Sequence, residues 1–244
     1  MTRFRFVALA LLLIAAALPA RAQDPSPAEA AKIQKIVRDY LREHPEVIVD
    51  ALQEYQHRQE TLKADATRQT IAALKDELFN DPTSPVTGNP NGDVTVVEFF
   101  DYRCPYCKAV APDLAKAVAA DGKVRLIYKE FPILGPLSLT AAKAALAAVR
   151  QDKYLAFHDR LFAFKGNLDE AAIYAMAGEL GLDVAKLKVD MGKPEIKDII
   201  DRSYKLADKL NIQGTPAFVI GSELLPGVAS FDDLMATFKR ARGG

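Results

Sequence analysis

Cys104 and Cys107 are the only two cysteines among the 244 residues, separated by Pro105 and Tyr106. Two thiols at this spacing can close a small disulfide ring, and no third cysteine competes for either one. A bridge across a two-residue gap constrains the unfolded chain very little, so a purely structural disulfide is a poor explanation for the pair. Thiol–disulfide exchange is the chemistry it suits. Val94–Phe100 ahead of the pair reads as a buried strand, and Lys108–Ala120 behind it as a helix. Cys104 then falls at the first turn of that helix, where unsatisfied backbone N–H groups and the dipole favour an anion, which makes it the attacking thiol. Cys107 lies nearly one turn further along, on the same side and deeper, placed to attack a mixed disulfide formed by Cys104. Pro105 suits a first helical position, where its missing N–H costs nothing. Tyr106 is expected to lie exposed over the site.

A second element lies far away in sequence. Gly214-Thr215-Pro216 stands directly before the apolar run Ala217-Phe218. Proline at a strand entrance suggests a cis bond or a tight turn. Thr215 would then offer free backbone groups to an extended substrate lying across the two thiols.

The first residues set the compartment. Arg3 and Arg5 precede an apolar run from Phe6 to Leu18, too short to span a bilayer comfortably, and Ala20-Arg21-Ala22 supplies small residues for a signal peptidase. Residues 1–22 are therefore expected to be a removed signal peptide, and the mature protein to be periplasmic. Three arginines leave with that segment and no acid, so the formal net charge moves from 0 to −3. A mildly acidic chain without a basic tract gives no reason to expect a nucleic acid partner.

Residues 23–83 read as a helical arm. Ile33, Ile36, Val37, Tyr40 and Leu41 share one helical face. His44-Pro45 interrupts, because the residue before a proline avoids the helical region. A second helix is expected over Glu46–Phe79. Its stripe (Ile48, Leu52, Tyr55, Gln59, Leu62, Ala66, Gln69, Ala73) is a weak coiled-coil seam with two glutamines in it. Such a helix reads either as a solvated linker or, the favoured reading, as an arm that associates with copies of itself. Residues 80–93 have loop composition.

From residue 84 the pattern alternates. Strand Val94–Phe100, a helix from Cys104 to Ala120 and strand Lys123–Glu130 form a βαβ unit. Helices follow over about residues 138–210, broken near Arg150–Asp152, Gly166–Asn167, Gly181 and Gly192. A hairpin (Ala217–Ile220, Glu223–Leu225) turns at Gly221-Ser222, and Phe231–Arg240 closes the chain as a helix. The expected fold is α/β: a thioredoxin-like sheet with a helical insertion, behind an N-terminal helical arm.

Glu98-Phe99-Phe100-Asp101-Tyr102-Arg103-Cys104-Pro105-Tyr106-Cys107 together with Gly214-Thr215-Pro216 resembles the DsbA family of periplasmic thiol–disulfide oxidoreductases. The resemblance covers about Pro85 to the C-terminus. It implies Cys104 as nucleophile, Cys107 as resolving thiol, Pro216 as a cis-proline, and Glu98 as a buried acid that relays the proton of Cys107. Pro105, Tyr106, Thr215 and Pro216 would contact substrate. Lys129-Glu130-Phe131-Pro132 is also similar to this group. Pro-Tyr replaces the Pro-His of strongly oxidising members. The arm resembles the oligomeric branch containing suppressor-of-copper-sensitivity protein C, whose assembled members act as isomerases. Threonine before the cis-proline is likewise typical of isomerase-type members. No cofactor is implied. The implied partners are exported cysteine-containing clients and a membrane redox protein of DsbB or DsbD type.

The competing reading is Cu(I) held by the thiolates of Cys104 and Cys107 in metal tolerance. His44, His57 and His158 show no spacing that completes a metal site, and His158, among Tyr154, Phe157, Leu161 and Phe162, reads as a core or groove residue. Met176, Met191 and Met235 read as core filler.

Overall fold

The computed structural model describes residues 24–243; the expected signal peptide lies outside them. The described chain divides after Gln59 into two units.

In the first unit, α1 (Pro27–Glu43) starts at a capping box. The Ser26 hydroxyl accepts from the Glu29 N–H, and the Glu29 carboxylate accepts from the Ser26 N–H. α1 stops before Pro45, and α2 (Glu46–Ala73) begins directly after it. Ile33, Ile36, Val37, Tyr40, Ile48, Leu52 and Tyr55 are all at least half exposed. α1 has no buried residue.

The second unit takes in the last turns of α2, and it begins at Glu60 rather than near residue 84. Ile71, Leu74 and Leu78 explain the difference. All three are buried in one cluster with Val97, Phe99 and Ile127 of the sheet. The single helix expected over Glu46–Phe79 is broken at Leu74, and α3 (Lys75–Phe79) follows. No proline or glycine marks that break.

The sheet holds β1 (Val86–Gly88), β2 (Val94–Phe100), β3 (Val124–Glu130), β4 (Ala217–Ile220) and β5 (Glu223–Pro226), in the order β1-β3-β2-β4-β5. β2 and β3 run parallel, joined by α4 (Pro105–Asp121); the other pairs are antiparallel. The insertion consists of α5 (Pro136–Ala148), α6 (Tyr154–Ala163), α7 (Glu170–Glu179), α8 (Val184–Met191) and α9 (Pro194–Lys209), and α10 (Phe231–Ala241) closes the unit. This is the thioredoxin-like α/β fold with a helical insertion. β1 falls in the segment read as a loop. Three residues between Pro85 and Asn89 are too few to show an alternation.

Period two along β2 sorts its side chains. Val97 and Phe99 join the cluster with Leu206 of α9, while Val96 and Phe100 join the one with α4 and α6. Glu98, between Val97 and Phe99, therefore faces the α4 side.

Lys129 faces the opposite way and is buried, with its ammonium donating to the Glu77 carbonyl at 2.9 Å and to the Asp81 carboxylate at 3.0 Å. Burial pushes the Asp81 carboxyl up, but the Thr83 hydroxyl and N–H and the Lys129 ammonium outweigh it and hold Asp81 at about 2. A depressed carboxyl stabilises the fold above its unfolded value, and that contribution fades as pH falls through the folded value. Asp81→Asn should cost about 2 kcal/mol at pH 7 and almost nothing near pH 2. Urea midpoints of both proteins across pH 2–7 check this; a pH-independent difference contradicts it.

Candidate active site

Cys104 is the N-cap of α4 and Pro105 its first residue, so the strand-to-helix turn places the thiol at the helix mouth. The register of β2 with β4 sets Phe99 opposite Ala217. That pairing carries Thr215-Pro216 alongside the turn. The Thr215–Pro216 bond is cis, and the Cys104 thiol donates to the Thr215 carbonyl at 3.2 Å. Two segments 111 residues apart thus meet at the sulfur. Cys104 is 4% exposed and Cys107 0%, while Tyr106 between them is 63% exposed. Only Cys104 opens on solvent, so a client sulfur has one thiol to meet.

Burial pushes the Cys107 thiol well above its ordinary range; a backbone hydrogen bond at Asp101 opposes this, and the neighbouring Cys104 and Glu98 reinforce it. Cys107 therefore reacts only if a group beside it takes its proton. Glu98, 2% exposed, is the acid at hand. Burial raises its carboxyl to about 8, and its Oε1 has no hydrogen-bond partner. A carboxyl poised near neutrality next to a buried thiol can give or take that proton at physiological pH.

Further residues, whose contacts the sequence reading did not foresee, complete the site. Asp101 is buried and accepts from the Arg103 N–H at 2.7 Å and from the Leu134 N–H at 2.9 Å, while the Arg103 guanidinium donates to the Leu134 carbonyl at 3.0 Å. Both backbone groups of Leu134 are thereby tied to the turn that leads into Cys104. Its side chain stays 44% exposed, next to an exposed Ile133. Beneath the turn, Tyr102 donates to Glu130 at 3.0 Å and contacts His158 Nδ1 at 3.0 Å; Tyr154 also donates to Glu130, at 3.0 Å. Burial holds His158 down at about 3, so the ring is neutral. Burial raises the Glu130 carboxyl well above the carboxylate range, against the two tyrosine hydrogen bonds. This network bolts α6 to the active-site turn. Nothing in local sequence signals it, because its members come from the active-site turn, β3 and α6 and meet only in the fold.

Of the residues singled out from sequence, Cys104, Cys107, Glu98, Pro105, Tyr106, Thr215 and Pro216 converge here. His158 lies below them, buried as expected. No cluster of three or more His, Cys, Asp or Glu that could hold a metal ion occurs among the described residues.

Residues 95–239 match the DSBA-like thioredoxin domain. The chain belongs to that family. In this DSBA-like chain, residues 29–61 also match the N-terminal domain of the copper resistance protein ScsC. A thioredoxin-like oxidoreductase from Silicibacter pomeroyi is 49% identical, with a TM-score of 0.68 over 69% of this chain and 98% of its own. A Proteus mirabilis ScsC variant with a linker deletion is 30% identical, with a TM-score of 0.69 over 91% of this chain and 99% of its own. Disulfide bond formation protein D of Bacillus subtilis is 27% identical over 172 residues, 66% of this chain and 78% of that protein. Na⁺/H⁺ antiporters of two Salinispora species match over only about a quarter of their own length. The DSBA-like chain is a thiol–disulfide oxidoreductase of ScsC type, with its Cys-x-x-Cys pair at Cys104 and Cys107. No described helix is long and apolar enough to cross a membrane.

Proposed function

We propose that this oxidoreductase acts in the periplasm, after removal of residues 1–22, and that it shuffles or reduces client disulfides in preference to forming them. The observation that carries the site assignment is the Cys104 thiol against the Thr215 carbonyl, with Cys107 buried and within electrostatic reach of Glu98. The Cys104 thiolate attacks a client disulfide; a Cys104–client bond forms and the second client sulfur leaves as a thiolate. In isomerisation, another client thiolate then attacks that client sulfur and expels Cys104. In reduction, Cys107 passes its proton to ionised Glu98 and attacks the Cys104 sulfur, forming the Cys104–Cys107 disulfide and releasing the client sulfur as a thiolate. Run backwards, protonated Glu98 returns the proton to Cys107 as it leaves. Client backbone pairs with Thr215 beside Pro216, while Tyr106 and Pro105 line the approach with Ile133 and Leu134. A membrane redox partner of DsbB or DsbD type resets the pair, and exported cysteine-containing proteins are the clients.

The bias towards isomerisation rests on the first unit. Its exposed apolar face, in the segment matching the ScsC N-terminal domain, supports self-association into a dimer or trimer. Several Cys104 sites in one assembly can hold a misfolded client at more than one point. The deletion that tests this ends at Gln59, because removing residues through Phe79 would strip Ile71, Leu74 and Leu78 from the sheet. Deleting residues 24–59 should leave a folded monomer by light scattering. That monomer should still reduce insulin but lose most of its ability to refold scrambled ribonuclease. An unchanged mass, or unchanged ribonuclease refolding, defeats the proposal. The Cu(I) reading of Cys104 and Cys107 rests on the two thiols alone and stays secondary.

A further inference from the structure

β2 ends at Phe100 opposite Glu130 of β3, and the Phe131 N–H donates to the Phe100 carbonyl at 2.9 Å. The turn into Cys104 and the loop after β3 therefore leave the sheet side by side. That loop is pinned at two points. The Tyr204 hydroxyl of α9 donates to the Pro132 carbonyl at 2.7 Å, and Asp101 and Arg103 hold both backbone groups of Leu134. Phe131 and Pro132 are buried, while the side chains of Ile133 and Leu134 stay in the open. Two exposed aliphatic side chains on a doubly pinned backbone are a preorganised contact, available to a partner without the entropy cost of ordering a loop.

The sheet topology selects what meets them. β4, which follows Thr215-Pro216, lies on one side of β2, and β3 lies on the other. A client strand that pairs with Thr215 and brings its cysteine over Cys104 continues, beyond that cysteine, over the end of β3. Neighbouring strands lie about 4.8 Å apart and two extended residues cover about 6.6 Å, so the second residue beyond the cysteine reaches past that end. The period of a strand picks the same residue. Its side chain shares the cysteine's face, whereas the side chain between them points away.

We propose that Ile133 and Leu134 form a subsite for an aliphatic side chain two residues from the client cysteine, on the side away from Thr215, with Asp101 as the positioning residue that holds it. The subsite rests on Cys104 being the thiol that meets the client. It makes the preferred clients those with leucine, isoleucine or valine at that spacing from the reacting cysteine. Asp101 suits its role because its two carboxyl oxygens serve two N–H donors, those of Arg103 and Leu134. Asparagine has one oxygen for the two, so one N–H would face its amide group.

The test uses the reduced full chain and two nonapeptides, each with a central cysteine carried as a mixed disulfide with nitrothiobenzoate. One peptide has leucine at both second positions from the cysteine, and the other has serine there. Attack of the Cys104 thiolate on the peptide sulfur forms the Cys104–peptide disulfide and releases nitrothiobenzoate as a coloured thiolate. Each second-order rate is divided by that of the same peptide with glutathione, which removes the peptide's own reactivity. The expected leucine-to-serine ratio is about tenfold, the scale of covering one aliphatic side chain at a shallow site. The double variant Ile133→Ser, Leu134→Ser should bring the ratio to about one, and Asp101→Asn should lower it by about threefold with both side chains still present. Because the ratio is taken within each protein, a general loss of rate cancels. A ratio near one in the wild type, or an undiminished ratio in the double variant, overturns the subsite. An undiminished ratio in Asp101→Asn overturns its positioning role. Those results leave Cys104 as the attacking thiol, whereas release that persists in Cys104→Ser would overturn that reading and the subsite with it.

Discussion

Cys104→Ser is expected to lower the rate of disulfide exchange by on the order of a thousandfold or more, since it removes the attacking atom itself. The cost to the fold should be small. Serine replaces a thiol whose one hydrogen bond, to the Thr215 carbonyl, an alcohol can also make. Cys107→Ser should behave differently. The variant still attacks, because Cys104 keeps its place at the head of α4, but it cannot release the client by closing the intramolecular disulfide. Insulin reduction with each variant, under one set of conditions, separates the two roles. Equal residual rates for both would mean that the two thiols are not divided into attacker and resolver.

Glu98→Leu should make the protein more stable and less active. The carboxyl is fully buried and raised to about 8 by burial, from an ordinary value of 4.5. Between those values the unfolded chain has lost this proton while the folded chain keeps it, so wild-type stability falls as pH rises through that window and levels off above it. Leucine removes the group that causes the fall. The stability of the variant relative to wild type should therefore grow by about 3 kcal/mol between pH 4 and pH 7. Turnover at neutral pH should drop by roughly a hundredfold, the usual scale for losing a positioned proton carrier. Denaturant midpoints and insulin reduction across pH 4–9 test both halves. A constant stability difference would mean that Glu98 is not held protonated. Unchanged turnover would mean that Cys107 finds its proton acceptor elsewhere.

The same acid explains why part of this site is legible in sequence and part is not. Glu98 sits in an unbroken apolar run, Val96-Val97-Glu98-Phe99-Phe100, and strand periodicity alone puts it on the α4 face with Val96 and Phe100. Cys104, Cys107 and the Gly214-Thr215-Pro216 segment are local patterns whose meaning survives without coordinates. The Asp101–Leu134 clamp does not, because its geometry depends on how the loop after β3 folds back across the active-site turn. The Tyr102–Glu130–Tyr154–His158 network is similarly hidden. Each of its members reads as an ordinary residue in its own element, and only packing α6 over the turn makes them partners. The arm shows the opposite limit. Its helical period continues smoothly past Gln59, yet Ile71, Leu74 and Leu78 belong to the sheet's second core. Period reports that a face is apolar, not what covers it.

The most direct test of the central claim is capture of the exchange intermediate. Cys107→Ser protein, mixed with a peptide carrying one activated disulfide, should accumulate a stable covalent adduct that mass spectrometry of a digest places on Cys104. Cys104→Ser should form none on the same timescale. An adduct on Cys107 in the Cys104→Ser protein, formed as fast as the first, would contradict the assignment of Cys104 as the attacking thiol.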